Sequence, residues 1–212
     1  MHGSSNGPVS AESTRVRPGY DQATILSIAV DTFNQRGYDA TSVGVLATRL
    51  GISKSAIYHH VPSKGALLEL ALAEALGSLE AVLKSIEEFI GDPGEQLEYA
   101  IRGAVNVVCA KLPYVTLLLR VRGNTDVELA ALARRRDFDR RLARFIQAAC
   151  EQGVLRKDLD PKMTSRLLFG TINSLVEWYR PRDGMTAEMV ADDLIALLFD
   201  GLRGPVRPAT VL

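Results

Sequence analysis

The stretch "TSVGVLATRLGISKSAIYHHVPSK", Thr41 to Lys64, decides how this chain is read. Thr41 or Ser42 can cap a helix that runs to about Leu50, with Val43, Leu46, Ala47 and Leu50 along one face. Gly51 then supplies a left-handed turn residue. Ser53 is placed to cap a very short helix, Lys54 to His60, which Pro62 stops, and Ser63 offers the next cap. Two short helices about a glycine turn have the length and turn chemistry of a helix-turn-helix, whose second helix enters the major groove amino end first.

The residue types suit that task. Ser53, Lys54 and Ser55 stand at a helix start, where backbone amides and the positive end of the dipole favour phosphate. Lys54, Ser55 and Ala56 are compact enough to let the helix lie against base edges, and Ala56 can meet a thymine methyl. Tyr58, His60 and Lys64 can reach the sugar-phosphate backbone, as can Thr41 and Ser42, while Ile52, Ile57 and Val61 supply the buried face. His59 is expected to be solvated or packed beside this surface. The adjacent His59 and His60 do not make a metal pair, because neighbours on a helix point about 100° apart and no histidine follows at i+4.

Working outward, Tyr20 to Arg36 carries a helical apolar stripe closed by Gly37. A long helix rich in Ala and Leu runs from Lys64 to about Phe89. Helical periodicity continues over Gln96–Lys111, Tyr114–Val121, Asp126–Gly153, Pro161–Tyr179 and Thr186–Arg203, with breaks at Pro113, Gly123, Pro161 and "RPRDG". No strand-length alternation and no internal repeat are found, so the expected fold class is all α: a three-helix helix-turn-helix DNA-binding domain over 19–65, then about six helices over 66–204. Residues 1–18, rich in Ser, Gly and Pro, read as a flexible arm, and 205–212 as a tail. Arg15 and Arg17 in the arm can enter a minor groove or merely solubilise the terminus.

Composition sets outer limits. At 212 residues, 47% hydrophobic and 24% charged, the chain has a globular composition and no apolar run near the roughly 18 to 20 residues of a membrane span. Cys109 and Cys150, both in apolar helical stretches, fit two buried free thiols in a reducing compartment, and the polar first ten residues lack a signal-peptide core; a cytoplasmic location is expected. Formal net charge is zero, yet Ser13–Lys64 holds six basic residues against three acidic ones, so the basic excess sits at the DNA-reading end. "RRRDFDRR", Arg134 to Arg141, alternates with Asp137 and Asp139 and reads as a salt-bridged solvated face rather than a second nucleic-acid patch. No nucleophile elbow, phosphate-binding glycine loop or metalloprotease motif occurs, so neither enzyme chemistry nor a cofactor or metal is expected.

The longer string "AVDTFNQRGYDATSVGVLATRLGISKSAIYHHVPSKGALLELAL" strongly resembles the DNA-binding domain of the TetR/AcrR family of transcriptional repressors. It does so through Phe33, Arg36, Gly37, Tyr38, Thr41, Ser42, Leu46, Ala47, Leu50, Gly51, Ser53, Tyr58, His60, Lys64, Leu67 and Leu68, over about residues 20 to 72. The resemblance implies base contacts from Lys54, Ser55 and Ala56 and phosphate contacts from Thr41, Ser42, Tyr58, His60 and Lys64. Three positions depart from the family pattern: Gly44 replaces a charged helix former, at up to roughly 1 kcal/mol of helix stability, Val61 replaces Phe, and Pro62 precedes the serine.

The same resemblance implies a homodimer on a palindromic double-stranded operator; no membrane partner is expected, since no apolar run is long enough to span one. Its interface is expected along Leu167, Gly170, Thr171 and Ser174 of one late helix and Val190, Leu194, Leu197, Leu198 and Gly201 of another; intramolecular core is the alternative for these stripes. The middle helices should enclose a small-molecule effector. Candidate lining residues are Tyr99, Arg102, Asn106, Tyr114, Leu118, Arg122, Phe138, Phe145, Asn173 and Trp178. "NSLVEWYRP", Asn173 to Pro181, is similar to the carboxy-terminal signature of repressors of lipid, steroid or aromatic-acid catabolism. That implies an acyl-CoA effector, with Arg102, Arg120 or Arg122 as phosphate partners; a hydrophobic drug or free fatty acid stays open. A helical carrier protein without operator binding is the alternative function.

Overall fold

A computed structural model describes residues 21–181 and 184–200; the arm with Arg15 and Arg17, the tail and Gly201 lie outside them. Ten helices and no strand occupy the described residues: α1 Gln22–Arg36, α2 Val43–Leu50, α3 Lys54–His60, α4 Lys64–Glu88, α5 Pro93–Ala110, α6 Leu112–Arg120, α7 Asp126–Glu151, α8 Pro161–Asn173, α9 Leu175–Trp178 and α10 Ala187–Asp200.

The starts of these helices follow local chemistry. Asp21, Ser42, Ser53, Ser63, Thr125 and Asp160 each place a side-chain oxygen on a backbone amide of the first turn. Gly37 (φ 86°) and Gly51 (φ 67°, left-handed) turn the chain out of α1 and α2 at angles that other residues adopt only with strain. The break expected at Pro113 falls instead at Lys111, because Pro113 stands in the first turn of α6, where its missing N–H costs no helical bond, and two further boundaries differ from the sequence expectation. α5 begins at Pro93, not Gln96, because Asp92 and Glu95 close a reciprocal capping box around "DPGE". The single helix expected over Pro161–Tyr179 is instead interrupted at Ser174, whose hydroxyl donates back to the Thr171 carbonyl at 2.7 Å.

Ile25, Ala29 and Phe33 of α1, Leu46 and Leu50 of α2, and Ile57 of α3 close over Leu67, Leu68 and Ala71 at the start of α4. Phe33 meets Tyr38 edge-to-face at 5.2 Å. Burying each large apolar side chain contributes roughly 1.5–3 kcal/mol. The core then continues without a gap into the body, because Leu72, Leu76, Leu79, Leu83 and Ile86 of the same helix pack there against α5 and α7. Head and body are thus threaded on α4. α5 turns into α6 through a 97° bend, α10 covers α5, and α8 lies along α7.

Polar ties brace the body. Arg134 of α7 grips Glu80 of α4 through two nitrogens at 2.9 and 2.8 Å, and Arg141 reaches Glu87 at 2.6 Å, two helical turns further on. The expected salt-bridged face of "RRRDFDRR" is present in these two pairs and in Arg140–Asp137. Both cysteines are free, Cys150 buried and Cys109 half-buried; burial pushes the Cys109 thiol up, against a hydrogen bond with Tyr179. No single described helix is long and apolar enough to cross a membrane.

Candidate nucleic-acid interface

α3 is held by one deep anchor, Ile57, together with Val61 just past its end, so the rest of its surface stays outside. Lys54, Ser55, Tyr58, His59 and His60 are exposed and Ala56 is half-buried. The Ser53 hydroxyl accepts from the Ala56 amide at 3.1 Å, which leaves its proton free to donate outward. Among the described residues no three His, Cys, Asp or Glu side chains come together as a metal-binding group.

Gly44 has a role that the sequence did not disclose. α2 runs unbroken through it, and a Cβ built there would stand 3.0 Å from Lys54 Cε, 3.4 Å from Lys54 Nζ and 3.4 Å from Ser42 Oγ. The missing side chain lets the Lys54 stem lie across the first turn of α2, bringing a base-reading candidate of one helix beside the capping serine of the other. The sequence signal was the glycine itself, which stands at a cost inside a helix and lacks a turn to justify it.

Two expected phosphate contacts are placed differently. Thr41 is 1% exposed and its hydroxyl donates to the Gly37 carbonyl at 2.7 Å, so it closes the α1–α2 turn and Ser42 is the outward residue of the pair. Lys64 is half-buried; its ammonium donates to the Tyr38 carbonyl at 2.9 Å and lies 4.1 Å from the centre of the Tyr38 ring. Two of its protons remain for a phosphate, but its first duty is to pin α4 to the α1–α2 turn. Burial, with Asp39 and Glu128 adding to it, pushes the Tyr38 hydroxyl above its usual range and keeps the ring neutral beneath the cation.

Behind this surface a strap joins head and body. Arg120 Nη1 at the end of α6 donates to the Asn34 carbonyl at 2.6 Å, and Asn34 Nδ2 donates to the Pro113 carbonyl at 2.8 Å. Asn34 Oδ1 is buried without a partner. Beside the strap lies a cavity of roughly 190 Å³ between Phe33, Tyr38 and Leu117, where buried Glu128 accepts from the Gly123 and Asn124 amides.

The ten effector candidates do not converge. Arg122 lines the small cavity just described; Leu118 and Phe138 are buried, the latter edge-to-face with Phe169 at 4.9 Å. Tyr114 is half-buried, its hydroxyl pushed up first by burial and then by Glu74 and Asp31; Phe145 and Asn173 are also half-buried. Tyr99 stacks on Phe89 at the surface, Arg102 is ion-paired with Asp192 of α10, and Asn106 is exposed. These three lie on the outer face of α5, whose inner face is Leu97, Ile101, Ala104, Val105 and Val108. Their spacing marks the polar side of an amphipathic helix, not a pocket wall. Trp178 is exposed and donates to Ser174 Oγ at 3.3 Å.

The late-helix stripes divide as well. On α8, Leu167 is 66% exposed, and Gly170, Thr171 and Ser174 lie on the same side, partly or fully open to solvent. On α10, Leu197 and Leu198 are each 40% exposed, whereas Val190 and Leu194 are buried within the chain. That places Val190 and Leu194 in the intramolecular core against α5, because the apolar face of α10 is wide enough to serve both surfaces. Met163, Trp178 and Met189 are further large apolar residues left exposed on these elements.

A helix-turn-helix head with an outward polar start to α3, set on an all-helical body, defines a DNA-binding regulator class. Comparison with known proteins is decisive about which: residues 25–71 match the family described as bacterial regulatory proteins, tetR family, and residues 91–202 match the tetracyclin repressor-like C-terminal domain. A solved structure of a TetR regulator family member from Streptomyces coelicolor is 48% identical, covering 85% of this chain and 92% of that one, with a TM-score of 0.81. PfmR, a TetR family regulator from Thermus thermophilus, is 32% identical over 85% of this chain and 99% of its own, TM-score 0.74. The transcriptional repressor KstR2 of Rhodococcus jostii is 27% identical over 93% of this chain and 98% of its own length. The chain belongs to the TetR family of transcriptional regulators, DNA-binding proteins and not enzymes.

Proposed function

We propose that this protein is a ligand-responsive repressor that binds a palindromic operator as a homodimer and is released by a small hydrophobic or acyl-CoA-like effector. The observation that carries the proposal is the exposed start of α3, where Ser53, Lys54 and Ser55 project beyond the Ile57 anchor with the Lys54 stem accommodated over Gly44. Lys54, Ser55 and Ala56 read base edges, while Ser42, Tyr58, His60 and the remaining protons of Lys64 hold phosphates.

Pairing of two copies uses the exposed apolar residues Met163 and Leu167 of α8, Trp178 of α9 and Met189 and Leu197 of α10, and would set two heads against half-sites about one helical turn apart. Repressor action is supported by the KstR2 relative, and the acyl-CoA class by the "NSLVEWYRP" signature. Release follows from α4, one rigid helix from Lys64 in the head to Glu88 in the body, and from the Arg120–Asn34 strap. An effector that favours a body incompatible with the strap tilts the head by its difference in affinity for the two states, and by no more.

A gel shift with the protein's own upstream DNA, repeated with acyl-CoA thioesters and free acids, tests the proposal. A specific complex dissolved by one of these ligands is expected. Absence of a specific complex at any salt, together with tight ligand binding, would make the protein a carrier. Arg120→Ala should leave operator affinity nearly intact and blunt its loss on adding effector.

A further inference from the structure

An open groove of roughly 710 Å³ lies between α7 and α8, lined by none of the ten effector candidates. Arg136, Arg140 and Arg144 rise from α7 at intervals of four, and Lys162 and Arg166 face them from α8 at the same interval. Asp137, Asp139 and Asp160 also line it, so five cations stand against three anions in a protein whose total formal charge is zero. Only Arg140 is drawn off, by Asp137 at 2.8 Å; Arg136, Arg144, Lys162 and Arg166 make no ion pair among the described residues. Their neighbours Arg134 and Arg141 are tied to α4 and do not line the groove.

A buried polar group points the same way. Ser165 lines the groove at 2% exposure, and its hydroxyl has only a long 3.5 Å contact to the Asp139 carbonyl among the described residues. Such a bond is weak enough to be exchanged for a ligand oxygen. We propose that the α7–α8 groove is a binding site for the phosphate groups of a small ligand, held by Arg136, Arg144, Lys162 and Arg166 with Ser165 at its floor. Guanidinium groups take phosphate through paired N–H donors, and four unpaired cations around one opening match a ligand carrying several phosphate charges.

DNA is the weaker occupant on geometry. The start of α7 adjoins the head through Asn124 and Glu128, and Arg136 lies ten residues on, about 15 Å further along the helix axis. Nor is the groove the exposed apolar face of α8, since Arg166 precedes Leu167 by one residue and points about 100° away from it. The site stands independently of the effector; a coenzyme A thioester would make the groove's phosphates part of the same molecule, whereas a free polyphosphate would make it a second site.

Titration calorimetry of the full chain with tripolyphosphate, octanoyl-coenzyme A and octanoic acid separates these sources. Tripolyphosphate should bind with strong salt dependence; Arg144→Gln/Arg166→Gln should weaken it at least tenfold, and Asp139→Asn should tighten it several-fold by removing the half-buried carboxylate. These side chains lie on the groove wall, and circular dichroism of each variant checks that the helices remain. Opposite responses to the two kinds of substitution are not produced by a structural role. If octanoyl-coenzyme A follows the same pattern and octanoic acid does not, the groove holds the phosphate end of a thioester; if only tripolyphosphate does, the groove is a separate phosphate site. Tripolyphosphate binding that is absent, or indifferent to both substitutions, overturns the proposal. So does a loss of operator binding in the arginine variant without any change in tripolyphosphate binding, which would make the groove a DNA contact. Failure of every thioester and acid to release the operator would count against the proposed effector, not against this site.

Discussion

Gly44→Ala should make this protein more stable and a poorer reader of its operator. Alanine in a helix interior is worth about 0.8–1 kcal/mol over glycine, and somewhat less at Gly44, the second residue of α2. The new methyl would stand 3.0 Å from Lys54 Cε, inside the roughly 3.5–4.0 Å at which carbons sit comfortably. The obstructing atom belongs to the far end of an exposed, flexible chain, so relief costs little and a net gain of about 0.5–1 kcal/mol is expected. In a chain of this length that is a rise of about 1–4 °C in melting temperature, measured at fixed protein concentration. The displaced ammonium loses part of the base contact proposed for it, and a good pair of that kind discriminates by about 1–3 kcal/mol. At the low end, operator affinity falls about fivefold. Calorimetric melting and fluorescence anisotropy on the operator read the two effects, and the same substitution in a Lys54→Ala background assigns the second. If affinity still falls fivefold without Lys54, the proposed packing of Lys54 across α2 is wrong; if Gly44→Ala lowers the melting temperature, the Lys54 stem does not give way as argued.

Lys64→Ala removes both a charged hydrogen bond and the cation over Tyr38. It is expected to destabilise the head by about 1–2 kcal/mol in denaturant titration while weakening binding to every operator variant alike. Lys54→Ala, by contrast, should mainly erode discrimination among operator variants, and equal behaviour of the two would refute the division into base and phosphate contacts. Leu167→Glu, on the exposed face of α8, should leave the subunit folded by circular dichroism yet shift it to monomer in sedimentation; a variant that stays dimeric moves the interface elsewhere. Asp139 is held above the usual carboxylate range, first by burial and against the pull of Arg135 and Arg166. The folded protein therefore binds this proton more tightly than the unfolded chain, so stability falls as pH rises from below the ordinary carboxylate value through the raised one. Asp139→Asn should be more stable than the parent at neutral pH, and the difference should vanish in acid; a difference that grows in acid would reverse the assignment.

Local chemistry made the head legible from residues 20 to 72. Caps at Ser42, Ser53 and Ser63, glycines at 37 and 51 and the proline at 62 act within one turn of where they stand, and the helices begin and end beside them. Apolar periodicity similarly marked the helices of the body, failing at Gln96, where a proline and glycine hid a capping box, and at Ser174. Periodicity identifies a face but not its neighbour. Val190 and Leu194 therefore read as interface although α10 spends them on α5, and Tyr99, Arg102 and Asn106 read as pocket although they are the outer side of the same helix pair.

What the sequence determined by itself is the all-α class, the helix-turn-helix and the outward chemistry of Lys54 to His60, since each depends on interactions within a few residues. Tertiary structure alone decided that Lys54 lies over Gly44, that Thr41 closes a turn, that Lys64 clamps Tyr38 and that Arg136, Arg144, Lys162 and Arg166 share one groove. Each of those outcomes requires groups from separate elements to meet, and the crossing of two helices is set by how their apolar faces pack, which no single stretch of residues contains.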